Sequence, residues 1–448
     1  MRLPGWRLKA ALLAGDLSGP SLAVMAKLLT VPVGAVASLV AARLVVRALG
    51  GEGFAVYALI VGLAALLPFS DLGVGAAVMD AVARRGQTGL ESVERVLVTS
   101  WRVLCVGAVG LAGASWVTAG FGGWGFMLGT GRSASVEVAA AVATSLYAVG
   151  LPLSIGPRLL TGAGRNHHVI LIQTASVVAS LGLLALAAAW QAPLWGFAAA
   201  PFSATLAGNA ASLALGARAA GVRCGEVFRR ALRLSERGME VRSIAGPMVV
   251  ITVILAVAYQ TDRIVLSHVS SLGEVASYSV GFQLFSPLMS LIGGAGVSLW
   301  PIYARRRLGV GRRALVQAEV AFGVLGALLG VALVVLGPFL ARFVGEDEVR
   351  VDTWLLVAFG GLLFIQAVSY PMAMLLTDPG GLRFQARLHV AMVLINLPAS
   401  ILLARQLGAV GPVLATILSI AVALFVPELR RAWRLTGEAD RGCANSAE

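Results

Sequence analysis

Long apolar runs recur from one end of this 448-residue sequence to the other, separated by short turns that hold most of its arginines. That pattern leaves few ways to fold. A helix crosses the hydrocarbon with roughly 20 apolar residues, whereas a barrel strand needs about ten in strict alternation. The runs here are too long and too uniform for strands. Twelve helical spans are expected, near 21–43, 54–78, 101–120, 136–156, 169–189, 193–217, 244–267, 276–299, 316–341, 352–376, 389–405 and 409–429. Composition supports the reading: 58% of residues are hydrophobic and 13% charged, against roughly 25% charged in soluble domains. The fold class expected is therefore an all-α polytopic membrane protein.

The net charge of +13 would suggest nucleic acid in a soluble chain. Here the basic residues sit in the gaps between spans, where the positive-inside rule places them, and no nucleic-acid partner is expected. With the N-terminus inside, Arg84, Arg85, Arg158, Arg165, Arg229, Arg230, Arg305, Arg306, Arg430 and Arg431 all fall on the cytoplasmic side. The opposite side keeps Arg43, Arg47, Arg132, Arg342, Arg350 and Arg405, with the acidic run Glu346–Asp347–Glu348. Both termini are thus expected in the cytoplasm. The basic segment Met1–Lys9 is read as leading into a retained first helix.

Cys105, Cys224 and Cys443 stand far apart, without metal-ligand spacing. The outer segments 121–135 and 342–351 are too small for a catalytic domain, and no GxxxxGK[ST] phosphate loop is present. No enzyme, cofactor or metal centre is expected.

The longest internal loop, 218–243, lies midway and divides the chain. The expected units are 1–217, the linker 218–243, 244–434 and a tail 435–448. The linker's Arg and Leu spacing suits either a helix on an anionic membrane surface or a plain connector. Sliding the sequence by 221 residues superposes Gly73, Gly75, Ala83, Arg84 and Arg85 on Gly294, Gly296, Ala304, Arg305 and Arg306, and Tyr57 on Tyr278. Leu159–Leu160–Thr161 and Leu375–Leu376–Thr377 match at a slightly shorter offset. An even number of helices per repeat preserves orientation. The halves are therefore expected to be two parallel six-helix bundles around a central cavity.

Charges inside the hydrocarbon are costly and face a cavity or a partner. Lys27 lies about a third of the way along the first span, and Asp71 in the inner half of the second, where the two could meet. Asp262 and Arg263 lie near the outer end of the seventh. Adjacent helical residues point apart, so these two are not expected to pair with each other. Lys27, Arg43 and Arg263 are candidate contacts for an anionic substrate, because cationic groups suit phosphate. Asp71 and Asp262 are the candidate carriers of H+ or Na+.

Several segments together resemble the bacterial polysaccharide-biosynthesis flippases of the multidrug/oligosaccharidyl-lipid/polysaccharide exporter superfamily. They are AARLVVRALGGEGFAVYAL at 41–59, DLGVGAAVMDAVARR at 71–85, RLLTGAGRNH at 158–167, TDRIVLSHVSSLGEVASYSVG at 261–281 and GAVGPVLAT at 408–416. The resemblance implies two six-helix bundles forming a V-shaped cavity in the bacterial cytoplasmic membrane. It implies transfer of an undecaprenyl-diphosphate-linked oligosaccharide to the outer leaflet by alternating access, for O-antigen, capsule or exopolysaccharide synthesis. The implied partners are the lipid-linked saccharide, membrane lipids, a polysaccharide polymerase and glycosyltransferases, and a monomer is expected to suffice. The alternative is a cation-coupled multidrug or small-molecule antiporter, which would favour acidic over basic cavity residues.

Overall fold

The computed structural model describes residues 19–66, 74–233, 261–297, 299, 303, 311–346, 348–377 and 379–445. Among these the secondary structure is helical throughout. Nine helices among the described residues are long and apolar enough to cross a membrane, which makes the chain an all-α polytopic membrane protein. The remaining expected spans are not all testable. The seventh, 244–267, is described only from residue 261. The sixth is present as the 27-residue helix Leu194–Ala220, which at 1.5 Å per residue is about 40 Å long.

The first two spans form one element, α1 (Gly19–Leu66), broken at Gly50. Its φ of 72° and ψ of 176° lie where an L side chain is disfavoured. The hairpin corner within ALGGEGF thus needs no loop. After Leu66 the chain is next described in α2 (Val74–Ala83) and the short α3 (Arg85–Thr88). The third span starts earlier than hydropathy suggests, because α4 (Leu90–Gly120) extends below its apolar stretch through Glu91, Glu94 and Arg95. A one-turn helix, α5 (Gly123–Met127), leads to α6 (Ala134–Leu153). This continues after a bend at Ser154 into α7 (Ile155–Gly162). Then follow α8 (Asn166–Ala189), α9 (Leu194–Ala220) and α10 (Cys224–Leu232).

The second half contains α11 (261–269), α12 (Leu272–Val297), α13 (Arg312–Gly345), α14 (Thr353–Leu375) and α15 (Pro379–Leu407). It closes with α16 (Val410–Ser419), a π-helical turn at Ile420–Phe425, and α17 (Val426–Asn445). The span expected at 389–405 is longer than hydropathy indicated, since α15 begins at Pro379 with a polar turn.

Helices before residue 233 pack chiefly among themselves, as do those after 272, and α12 and α13 lie against α1 where the two groups meet. Small residues allow the closest approaches, as expected where lipid supplies no hydrophobic drive between helices. The α13–α14 pair is the most extensive contact. A Cβ at Gly326 of α13 would sit 2.7 Å from Cβ of Ala367 on α14. Replacing Gly326 with Leu is expected to destabilise the protein by about 1–3 kcal/mol through overpacking, read as a lower unfolding midpoint in detergent.

The linker is not a free connector over its described part. Helix α10 turns Val227 and Ala231 inward and docks on α4. The Arg102 guanidinium of α4 donates to the carbonyls of Ala231 and Arg233, and Arg230 pairs with Glu94 at 2.7 Å. Cys224 begins this helix, and burial pushes its thiol up to about 11. The thiolate is the nucleophile, so its population at neutral pH is small and grows with pH up to that value. Maleimide labelling in a Cys105→Ser/Cys443→Ser background should be slow at pH 7 and rise about tenfold per pH unit towards pH 10, faster in chain unfolded by detergent at the same pH.

Candidate functional site

A cavity of about 840 Å3 opens between the two halves. One wall is α1, with Lys27, Thr30 and Ser38. A second is the bend from α6 through α7 into α8, with Ser154, Arg158, Thr161, Asn166 and Gln173. Ser286, Pro287 and Ser290 of α12 close the third. Pro157 and Pro287 stand in the lining beside these polar groups. The bend at Ser154 turns α7 so that Arg158 enters the lining, on a short helix too brief to cross a membrane alone.

The lining has a definite electrostatic sign. Lys27 and Arg158 are its charged members, and no described lining residue is acidic. Lys27 is exposed to the cavity. Its Nζ lies 3.8 Å from where a Cβ on Gly294 would stand, so the missing side chain on α12 leaves the ammonium room. The hydroxyls of Thr30, Ser38 and Thr161 bond back to carbonyls of their own helices. They keep acceptor capacity towards the cavity without adding charge. Such a lining can hold an anion with flanking polar groups.

The other residues anticipated from sequence lie elsewhere. Arg43 is sixteen residues beyond Lys27 on α1, about 24 Å along the helix. There it meets the end of α13: it pairs with Glu346 at 2.6 Å, donates to the Phe343 carbonyl at 2.6 Å and stacks 4.3 Å over the Phe343 ring. Arg47 shares Glu346 at 3.0 Å. At the same end, His268 reaches the Phe126 carbonyl at 3.1 Å, and Gly129 lies so close to Ser267 that a Cβ would be 2.6 Å from its carbonyl oxygen. The halves are therefore closed at the Arg43 end while the cavity lies at the Lys27 end. Arg263 crosses from α11 to the second arm of α1, where its guanidinium stacks 4.9 Å from the Phe282 ring centroid and donates to the Ala58 carbonyl at 3.5 Å. Asp71 lies outside the described residues.

Asp262 and Arg263 do not pair side by side. Asp262 is buried, at 5% exposure, and faces into the second half. It accepts the Tyr278 hydroxyl at 2.9 Å, and Ser400 on α15 stands beside it. A chain of neutral polar groups continues inward. Ser400 reaches the Asn396 amide, and Asn396 donates to Thr416 at 2.9 Å and Ser419 at 3.3 Å. One oxygen of Asp262, Oδ1, has no partner among the described residues. Sequence reasoning found Asp262 but not Asn396, Thr416 or Ser419. A neutral polar residue within an apolar helix carries too weak a signal, and only the spacing of Asn396 and Ser400, four apart on one helix face, hinted at it.

The described helices form two packed groups with a polar cavity between them at one end and closing contacts at the other. The pattern of the polysaccharide biosynthesis protein family matches residues 21–306, more than half of the chain, and the chain belongs to that family. Solved structures share the fold over most of the chain. An inward-facing multidrug resistance MATE family transporter of the MOP superfamily aligns at a TM-score of 0.68 and 14% identity, covering 93% of this chain and 99% of the other. The lipid II flippase MurJ, in an inward closed conformation, aligns at 0.65 and 13%, covering 93% and 90%. A MOP superfamily transporter from Pyrococcus furiosus, described as having a binding pocket of reversed polarity, aligns at 0.60 and 14%, covering 94% and 96%. No curated protein matches the sequence significantly.

The Asp262–Tyr278 contact gives a direct check on the second-half network. Tyr278→Phe and Asp262→Asn should each lower the unfolding midpoint in detergent. The double variant should lose less than the sum, with an interaction of about 0.5–3 kcal/mol. Strict additivity would mean that the two groups are not bonded.

Proposed function

We propose that the protein carries an undecaprenyl-diphosphate-linked oligosaccharide across the bacterial cytoplasmic membrane by alternating access. The observation that carries this reading is the sign of the cavity: Lys27 and Arg158 line it, with no described carboxylate among them. A diphosphate suits that lining, because charge-assisted bonds from a guanidinium or ammonium to phosphate are about twice as strong as neutral ones. Membership of a polysaccharide biosynthesis family supports the same cargo. In this reading the chain forms two six-helix bundles, 1–217 and 244–434, joined by 218–243, with both termini and the tail 435–448 in the cytoplasm. The cavity is then open to the cytoplasm, and the Arg43–Glu346 end is the outer closure.

In the cycle, the diphosphate enters beside Lys27 and Arg158 while the lipid tail stays in the bilayer. The halves rock and the outer contacts part. Arg43 and Arg263 lie along the seam that opens, so they meet the substrate in the later states rather than in this one. Substrate binding drives the change only as far as it favours one state over the other. Asp262, with its unpartnered oxygen in a hydrogen-bonded pocket, is the carrier for H+ or Na+ in this reading, and Asp71 is the second. A polymerase and glycosyltransferases would act on either side of the transfer.

A second reading, a cation-coupled multidrug or small-molecule antiporter, has its own support. Multidrug MATE transporters recur among the solved structures sharing this fold, and they favour that alternative over the saccharide cargo. The buried Asp262 fits it equally well. The cavity charge separates the two, since a cationic drug would be repelled from Lys27 and Arg158.

The test is translocation in proteoliposomes of a fluorescent undecaprenyl-diphosphate saccharide, followed by its exposure to an outside quencher. Transfer above empty liposomes is expected, with an initial rate about tenfold lower in Lys27→Ala, the loss of one hydrogen bond to a charged group. Absence of transfer, together with gradient-driven efflux of a cationic dye, would replace this reading with the antiporter.

A further inference from the structure

Behind the cationic cavity lies a second chamber of about 390 Å3, which shares Ser38, Gln173, Val177 and Asn209 with it. Its other walls include Ala41, Ala42 and Tyr57 of α1, Ser180 of α8 and Thr205 of α9, and Gln283 of α12 reaches in from the second half. No described residue around this chamber is charged.

The internal repeat accounts for the room at this place. The 221-residue offset that aligns Tyr57 with Tyr278 sets Ala41 and Ala42 against Asp262 and Arg263. The shorter offset that aligns Leu159 with Leu375 sets Ser180 and Leu184 against Asn396 and Ser400. In the second half these positions form the packed network around Asp262. In the first half a methyl group, that of Ala41, stands at the position of the carboxylate, and the chamber lies where the matching network would stand. Equivalent places in the two halves therefore have different contents: a filled polar network in one and an accommodating chamber in the other.

The chamber's polar groups have unspent bonding capacity. Among the described residues, Gln283 Oε1 is buried without a partner, and Gln173 and Asn209 make no side-chain hydrogen bond. An amide both donates and accepts, as a hydroxyl does. A ligand rich in hydroxyls can satisfy these groups together, whereas an apolar ligand would leave Gln283 unpaired at a cost. A charged sugar would lose hydration without gaining a counter-ion.

We propose that this chamber is a subsite for an uncharged sugar of the transported molecule, the sugar bonded directly to the diphosphate. The inference rests on the reading of the neighbouring cavity as a diphosphate site. The cavity and the chamber share a wall of Ser38, Gln173, Val177 and Asn209, and a diphosphate bound against that wall directs its first sugar towards the chamber.

The test measures binding to the purified full-length chain in detergent by titration calorimetry. Three probes are used: a short-chain isoprenyl diphosphate, the same compound bearing a glucosyl group, and one bearing a glucuronosyl group. The glucosyl compound should bind about tenfold more tightly than the bare diphosphate, the worth of roughly one or two hydrogen bonds. The glucuronosyl compound should show no such gain. Gln283→Leu, close in volume, and Ser180→Ala should each reduce the glucosyl advantage while leaving the Kd for the bare diphosphate unchanged. Lys27→Ala should weaken all three compounds together. Equal binding of bare and glucosyl compounds by the parent chain, with Lys27→Ala still weakening both, would overturn the subsite and leave the diphosphate reading intact. An advantage for the glucuronosyl compound would overturn the preference for an uncharged sugar. No binding of the bare diphosphate would remove the reading beneath the inference and the inference with it.

Discussion

A polar group left unpaired in hydrocarbon costs several kcal/mol, and that cost arranges this protein. It requires every span to be a helix, with backbone groups bonded within the segment. It then leaves three settings for the polar side chains that remain: a water-accessible cavity, a bonded interior network, or a closed contact at the end of the spans. Lys27 and Arg158 take the first, the Asp262–Asn396–Thr416 chain the second, and Arg43 with Glu346 the third. Glu137 obeys the same rule on a small scale. Buried on α6, it accepts the backbone N–H groups of Trp124 and Gly125 at 3.0 and 2.7 Å. It thereby holds the one-turn helix α5, which the closed end of the molecule needs.

How far this could be read from sequence depended on whether a residue's partner was near in the chain or in the pattern. Helical spans were legible because hydropathy is summed over many residues, and small errors at each edge do not change the sum. Their ends were less so: polar turns at Leu90 and Pro379 extend helices where the apolar signal has already stopped. The corner at Gly50 was hidden because a positive-φ glycine joins two helices with no loop composition around it. Lys27 stood out as a lone cation within an apolar run. Arg158 did not, since it sits among arginines that topology alone explains, and only the bend at Ser154 brings it to the cavity. Arg43 carried the opposite ambiguity. Its charge suggested a cavity residue, but its partner Glu346 is three hundred positions away in the chain, a separation that no local pattern encodes.

The repeat is informative for what it does not conserve. Tyr57 and Tyr278 occupy matching positions, but the second has a carboxylate to bond and the first faces alanine. Two copies of one helical design can diverge in this way without altering backbone packing, because a pair of alanines and an Asp–Arg pair occupy the same helical register. An ion carrier must be surrounded by protein to feel a change in its environment, whereas a ligand chamber must stay open. In the proposed reading the carrier and the ligand chamber lie in opposite halves, and Arg263, stacked on Phe282 and reaching Ala58 of α1, runs from beside the carboxylate to the other half.

In the proposed cycle, the closure at the Arg43 end has to be weak enough to open and specific enough to re-form. Its ion pairs are partly exposed, with side-chain exposures of 28% for Arg43 and 34% for Glu346, so solvent screening limits each to about 1 kcal/mol or less. The bonds to the Phe343 and Phe126 carbonyls add directionality. A handful of such contacts amounts to a few kcal/mol, comparable with the differential binding a ligand needs to move a two-state equilibrium most of the way across. Apolar packing of the same area would be harder to reverse, since parting it would expose hydrocarbon surface to water. Polar, screened contacts at one end and an open cationic cavity at the other therefore fit a body whose two states lie close in free energy, with the ligand setting the balance between them.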